Sequence, residues 1–183
     1  HTPTRRQRQM CIRDSYDAAW EDIEAVVNAL DWYPNAMKNL RDEQIPDYEN
    51  THTHKMIQQP AGVAVAYLAW NFPLLNVGFK LGPALASGCS IIIKPSALSP
   101  LSAYILGKII HDIDFPAGVV NILSGPTSEV ATTLSKSKIP TVLTMIGSTA
   151  TGQRVIADSA TSIKKLSMAV SYTHLRAHET NSN

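Results

Sequence analysis

Long apolar runs are missing from this chain, and so is any cysteine framework. No apolar stretch in its 183 residues approaches the roughly 18–20 residues of a membrane-spanning helix, which argues against a membrane partner. The two cysteines, Cys11 and Cys89, are too few for a disulfide scaffold and point to a reduced, cytoplasmic setting. Arginines stand near the N-terminus, but the apolar stretch of a secretory signal does not follow them. The G-x-G-x-x-G fingerprint of many dinucleotide-binding turns is absent. A basic face is absent too. The formal net charge is +1, and Arg5, Arg6, Arg8 and Arg13 crowd into the first fifteen residues against Asp14. The rest of the chain is therefore mildly acidic, which excludes a basic surface for nucleic acid.

What is present suits a soluble α/β domain. The chain is 44% apolar and 17% charged, and it is long enough to bury a core. Its organising stretch begins with an apolar strand, Val63 to Leu68. A turn follows at Trp70-Asn71-Phe72-Pro73, then an apolar helix to Gly88. A second apolar strand, Ile91-Ile92-Ile93, ends at Lys94-Pro95-Ser96. Strand, crossover helix and strand within about thirty residues make a βαβ unit with parallel strands. Both strands read as continuous apolar runs, as strands covered on both faces do.

The alternation continues. Ser99-Pro100 supplies an N-cap and a first-turn proline for a helix. That helix carries Leu101, Ile105, Leu106, Ile109, Ile110 and Ile113 on one stripe. Val119 to Leu123 is a third strand, Thr127 to Ser137 a helix, and Pro140 to Ile146 a fourth strand. A helix over Thr151 to Thr161 leads to a fifth strand, which starts at Ile163 and loses its pattern after Met168. The prediction is an α/β fold with a doubly wound, mainly parallel sheet.

The ends read differently. Residues 1–15 lack apolar periodicity, which predicts a disordered leader. Both this segment and residues 169–183 resemble translated sequencing-adapter sequence. Residues 16–57 form an N-terminal helix and linker. The helix has apolar residues at Ile23, Val26, Val27, Leu30, Tyr33, Met37 and Leu40, with a break or kink expected near Pro34. Arg41 to Lys55 is polar, and His52 and His54 share a face if it is a strand. His174 and His178 are four apart, as zinc ligands sometimes are. An exposed strand and an adapter scar explain these histidines better, and no metal site is expected. Residues 58–168 remain as an incomplete nucleotide-binding α/β domain.

Chemistry concentrates where strands end. Ligands of open α/β sheets bind at the carboxyl ends of strands, and there stand the amide of Asn71 and the ammonium of Lys94. The G-S-T-x-x-G turn from Gly147 to Gly152 lies between a strand and a helix. It is either a cradle for a pyrophosphate or an ordinary capped turn.

Four motifs then combine. Trp70-Asn71-Phe72-Pro73, Lys94-Pro95-Ser96, Phe115 to Asn121 and Gly147-Ser148-Thr149, in this order and spacing, resemble the aldehyde dehydrogenase superfamily over roughly Gln58 to Met168. The Ser124-Gly125 turn with Ser128-Glu129 after it resembles the succinate-semialdehyde dehydrogenase branch most. The resemblance implies a Rossmann-like cofactor domain and NAD- or NADP-dependent oxidation of a small-molecule aldehyde to an acid. It also implies a parent that is a homo-oligomer. It makes Asn71 the donor to the oxyanion of the thiohemiacetal. It places Leu68, Trp70, Lys94, Ser96, Ala97, Gly125, Gly147, Ser148 and Gly152 around the cofactor. Lys94 would bond the adenosine ribose, and Ser148 would hold the pyrophosphate.

Two departures qualify it. The family's K-P-S-E has Ala97 in place of its glutamate, so tolerance of NADP is expected. After Met168 the family continues E-L-G-G, whose glutamate is the general base, where this chain reads Ala169-Val170-Ser171. Its nucleophilic cysteine would fall further on. Neither Cys11 nor Cys89 fits that role, so the chain is expected to be an inactive fragment. An acyl-CoA-forming or acyl-phosphate reductase of the same superfamily, or a non-catalytic nucleotide-binding remnant, are the alternative readings.

Overall fold

The computed structural model of the chain describes residues 5–170, with side chains described from Tyr16 onward, Thr127 excepted. In chain order the elements are α1 (Arg5–Met37), β1 (Glu43–Ile45), β2 (His54–Met56), β3 (Val63–Tyr67), α2 (Pro73–Ala86), β4 (Ser90–Lys94), α3 (Leu101–Asp112), β5 (Val120–Ile122), α4 (Thr127–Lys136), β6 (Val142–Gly147), α5 (Thr149–Ser159) and β7 (Lys165–Val170). The last five strands form one sheet in the order β5-β4-β3-β6-β7. Every pairing in it is parallel. This is the doubly wound architecture that the strand–helix alternation predicts.

The alternation of side chains along β3 builds both cores. Ala64, Ala66 and Leu68 point to one face, where they meet Val77, Leu81 and Ala84 of α2, Ile91 and Ile93 of β4, and Ala103 of α3. Val65 and Tyr67 point to the other, with Leu143 and Met145 of β6 and Val155 of α5. Val65, Ile91, Ile93 and Leu143 are fully buried, each contributing on the order of 1.5–3 kcal/mol.

The α1 helix is part of this body. Two glycines of α2 let it approach closely. A Cβ at Gly78 would lie 3.0 Å from the Val26 Cα, and one at Gly82 would lie 2.5 Å from the Tyr33 ring. Val26 and Ala29 are buried in the contact, whereas Ile23, Val27 and Leu40 of the predicted stripe are exposed. Asp22 is buried beside them. Its carboxylate accepts hydrogen bonds from the backbone amides of Leu74 at 2.9 Å and Leu75 at 2.7 Å. These are first-turn amides of α2, whose own N-cap, Phe72, has no side-chain acceptor.

Several expectations need correction. The α1 helix begins at Arg5, although residues 5–15 lack apolar periodicity; Arg, Gln and Met are strong helix formers without it. It also runs through Pro34 to Met37, because a proline one turn from a helix end interrupts few hydrogen bonds. The six apolar residues of α3 do not share a face. Leu106 and Ile110 pack on the core, while Leu101, Ile105, Ile109 and Ile113 form a separate exposed row at spacings of four. Pro100 occupies the N-cap position of α3, and Ser99 instead donates its hydroxyl to the Trp70 carbonyl at 3.1 Å. The α5 helix begins at Thr149 rather than Thr151, because Ser148 caps it. The β7 strand continues past Met168, pairing Ala169 with Ile146 and Val170 with Gly147.

The polar stretch before β3 is an exposed hairpin of β1 and β2. Asp47 holds its turn, accepting from the amides of Thr51 and His52, each at 2.7 Å. The rings of His52 and His54 are 6.2 Å apart. Among the described residues no group of three or more potential metal ligands occurs. His174 and His178 lie outside the described residues.

Removing the Asp22 carboxylate leaves two α2 amides without an acceptor. Asp22→Ala should cost about 1–2 kcal/mol in urea denaturation, with Asp22→Asn retaining part of that. An unchanged midpoint in Asp22→Ala would show that the cap is not used.

Candidate functional site

The topology leaves a crevice. From β3 the chain crosses through α2 to β4 on one side, and β6 later pairs with the other side of β3. The crossovers therefore diverge at β3, and a crevice opens beyond the carboxyl ends of β3 and β6. A cleft of about 1020 Å³ occupies that place. Register brings its floor together: Tyr67 sits opposite Lys94 in β4 and opposite Met145 in β6.

Of the residues singled out in the sequence, Leu68, Trp70, Asn71, Lys94, Ser96, Ala97, Gly147 and Ser148 line this cleft. Gly125 and Gly152 do not. A Cβ at Gly125 would meet the Val130 side chain at 2.7 Å, so the residue packs its turn against α4. A Cβ at Gly152 would lie 3.2 Å from the Met145 Cε and 3.5 Å from Val170, so Gly152 seats α5 on the sheet. Above Gly147 a Cβ would find nothing nearer than the Met145 thioether at 3.9 Å. This glycine keeps space over the turn open.

The Asn71 turn is held from several directions. Asp22 fixes the start of α2 behind it. Asn76, buried in α2, reaches back to the Ala69 carbonyl at 3.5 Å. Ser99 bonds the Trp70 carbonyl, and the Leu68 amide donates to the Lys94 carbonyl at 3.1 Å. Asn71 itself is exposed to the cleft, and among the described residues its side-chain amide has no partner. The arrangement is a free donor on an anchored backbone.

Lys94 is the only charged residue that lines the cleft among the described residues. It is 4% exposed, and its Nζ donates to the neighbouring Pro95 carbonyl at 3.4 Å. Burial pushes its pKa below the ordinary lysine value. Across the cleft, Ser148 caps α5 and accepts from the Thr151 amide at 3.3 Å. The amides of Thr149 and Ala150 keep no intrahelical acceptor, and the Thr149 hydroxyl is buried without a partner among the described residues. An ammonium with spare donors, facing a helix N-terminus with free amides, suits an anionic ligand. No carboxylate lines the cleft among the described residues.

Sequence reasoning missed Asp22, Tyr67, Asn76 and Ser99. Tyr67 lines the cleft and ties β3 to α4, bonding the Ser135 hydroxyl at 2.7 Å and donating to the Ala131 carbonyl at 3.1 Å. Burial raises its pKa. Asn76 had a signal, as a polar residue inside an apolar helical run. Asp22 had none, because its partners stand 52 and 53 residues away.

The family model of the aldehyde dehydrogenase family matches residues 9–171. The chain belongs to the aldehyde dehydrogenase family. It is 33% identical over 147 residues to glutarate-semialdehyde dehydrogenase of Pseudomonas putida, covering 80% of this chain and 31% of that protein. It is 36% identical over 148 residues to the NADP/NAD-dependent aldehyde dehydrogenase PuuC of Escherichia coli, covering 79% and 29%. The solved structure of betaine aldehyde dehydrogenase from Staphylococcus aureus in complex with NAD+ superposes with a TM-score of 0.79 at 26% identity, covering 82% and 30%. The chain thus spans about three tenths of the length of the relatives it matches.

A buried ammonium with no carboxylate beside it among the described residues lowers the stability of the folded chain. Between the lowered pKa of Lys94 and its ordinary value of 10.5, the unfolded chain binds more protons, so stability rises with pH across that alkaline window. Lys94→Met should raise stability at neutral pH by about 1 kcal/mol and flatten that rise, as read by thermal melts from pH 7 to 11. A loss of stability in Lys94→Met would overturn this account of the cleft.

Proposed function

We propose that this chain is the nucleotide-binding part of an NAD(P)-dependent enzyme that oxidises an aldehyde to a carboxylic acid. The observation that carries the reading is the convergence of Asn71, Lys94 and Ser148 on one cleft, in a chain of this family. Lys94 bonds the adenosine ribose. The Ser148 hydroxyl and the free amides at the start of α5 hold the pyrophosphate. Leu68, Trp70, Ser96, Ala97 and Gly147 wall the cofactor, and Gly125 and Gly152 support that wall by packing. A nicotinamide held there would supply the hydride acceptor for the substrate carbon. Asn71 donates its Nδ2–H to the oxygen on which negative charge develops. A donor held in place before the reaction is worth about 2.7–4 kcal/mol in such a transition state, and the bonds that anchor its turn serve that end.

This chain by itself is read as binding without turnover. Cys89, the thiol among the described side chains, is buried at the start of β4, at the far end of that strand from Lys94. The Cys11 side chain lies outside those described. A free Cys89 also supports a reduced, cytoplasmic setting. Homo-oligomeric assembly of the parent is supported by the exposed apolar row of Leu101, Ile105, Ile109 and Ile113 on α3.

Cofactor choice follows from Ala97. With no carboxylate among the described residues lining the cleft, nothing there repels a 2′-phosphate. Calorimetric titration of the purified chain should show binding of both NAD and NADP. Ala97→Glu should weaken NADP about tenfold or more through like-charge repulsion. Absence of binding by either nucleotide would refute the reading, as would reduced nicotinamide produced from an aldehyde by this chain alone refute the lack of turnover. A strong preference of the unmodified chain for NAD would sink the role given to Ala97.

A further inference from the structure

The β3 strand is aliphatic from Val63 to Ala66 and ends in a phenol. Tyr67 is buried. Its ring packs with Val65, Leu143, Met145 and Val155, as a large aliphatic side chain could also do. Its hydroxyl does what no aliphatic residue can. It reaches α4, where it donates to the Ala131 carbonyl at 3.1 Å and lies 2.7 Å from the Ser135 hydroxyl. A phenol has one proton to give. Because that proton goes to Ala131, the other bond runs the opposite way, and Ser135 donates to the Tyr67 oxygen. Ala131 and Ser135 stand one turn apart, so both bonds meet the same face of α4.

The helix depends on this tie. Ser135 is fully buried, and it is the one buried side chain among the described residues of α4. Ala131 and Leu134 pack on the core, but each is only partly buried. The other polar ties that α4 makes among the described residues run to α5 and the turn after it. Thr132 donates to the Asp158 carboxylate at 3.1 Å, Lys136 pairs with the same carboxylate at 3.8 Å, and Thr161 donates to the Lys136 carbonyl at 3.0 Å. Without the Tyr67 hydroxyl, α4 stays tethered to α5 and is free to tilt away from the sheet.

That helix is also a wall of the cleft. Ala131 lines it together with Tyr67, Met145, Thr151 and Val155. Tyr67 therefore meets the cleft with its ring and holds a second part of the lining through its hydroxyl. Its partner in the register is Lys94, so the ammonium of the floor and the strut of the wall start from one rung of the sheet. A wall fixed before binding costs a ligand less than one that must be ordered as it binds.

We propose that Tyr67 is a positioning residue for the nucleotide, its hydroxyl holding α4 where Ala131 closes against the bound ligand. The inference rests on the function proposed above and adds a residue to it. The hydroxyl is committed to Ala131 and Ser135, so it acts on the ligand through α4 and not by a bond of its own.

The test compares Tyr67→Phe, Ser135→Ala and the double variant in the full chain. Tyr67→Phe keeps the ring and its packing while removing both bonds to α4. Ser135→Ala removes one of them and leaves the donation to Ala131. The unmodified chain is titrated with NAD by calorimetry first, then each variant, at a temperature well below every melting point. NAD affinity should fall about tenfold in Tyr67→Phe and about threefold in Ser135→Ala, as the modest net worth of single hydrogen bonds implies. Once Tyr67 is Phe, Ser135→Ala should change affinity no further, because the two groups act as one tie. Hydrogen exchange of the free Tyr67→Phe chain should quicken in α4 and stay unchanged in α2 and β4. A role in folding alone would lower the melting temperature and leave the folded chain's affinity for NAD as it was. Unchanged NAD affinity in Tyr67→Phe, single effects that add in the double variant, or exchange that quickens across the whole sheet would each overturn the proposal. Should Tyr67→Phe not fold, Ser135→Ala decides by the same titration, and unchanged affinity there overturns it. An unmodified chain that binds no NAD refutes the nucleotide reading itself, whereas NAD bound equally by the unmodified chain and Tyr67→Phe refutes the role of Tyr67 alone.

Discussion

The start of α2 is a local problem that the chain solves at long range. Four amides at a helix N-terminus need acceptors, and the residues before this one, Trp70-Asn71-Phe72, provide no capping side chain. A carboxylate from α1 does so, from a buried position where an anion needs partners as much as the amides do. Each side satisfies the other. The consequence reaches both ways along the chain. The α1 helix becomes part of the body of the domain, and the Asn71 turn is fixed between β3 and a helix that cannot rotate without breaking the cap. Ser99, just before α3, and Asn76 of α2 complete the clamp.

How much of this was legible beforehand divides by the range of the interactions. The parallel sheet was legible because β3, β4 and β6 are buried on both faces, and continuous apolar runs between turn residues report that directly. The polar groups at strand ends were legible for a related reason: Asn71, Lys94 and Ser148 break apolar patterns where the topology puts ligands. The α3 stripe was misread because apolar count does not decide direction. Leu101, Ile105, Ile109 and Ile113 make one row, Leu106 and Ile110 another, and only packing selects which turns inward. The first turns of α1 were missed because helix propensity needs no apolar period. Asp22 was illegible in principle, since an acidic residue on an amphipathic helix looks solvated until its partners fold against it. The tight surroundings of Gly125 and Gly152 depend on Val130, Met145 and Val170 folding against them, which spacing alone does not report.

The electrostatics of the cleft follow from the same division of labour. A buried lysine usually sits beside a carboxylate. Lys94 instead lies under the rim of the cleft, with a backbone carbonyl and a helix N-terminus for company. Burial alone disfavours the charged ammonium and lowers its pKa. An anion bound beside it would offset that cost, by linkage between ligand affinity and folding. The absence of carboxylates from the described lining means that nothing internal competes for that role.

Since α2 closes the cleft on one side and floors a groove against α1 on the other, its small residues decide more than packing density. Gly78 and Gly82 bring α1 near enough for Asp22 to reach the α2 amides, and Ala25 and Ala29 then leave an opening along the same interface. Larger residues at the glycines would push α1 outward, which would lengthen the two hydrogen bonds of the cap and widen the groove together. The position of the Asn71 turn and the width of the groove are therefore not independent. Both are set by how closely one helix can lie on another, and at Gly82 that distance already leaves no room for a methyl group beside the Tyr33 ring.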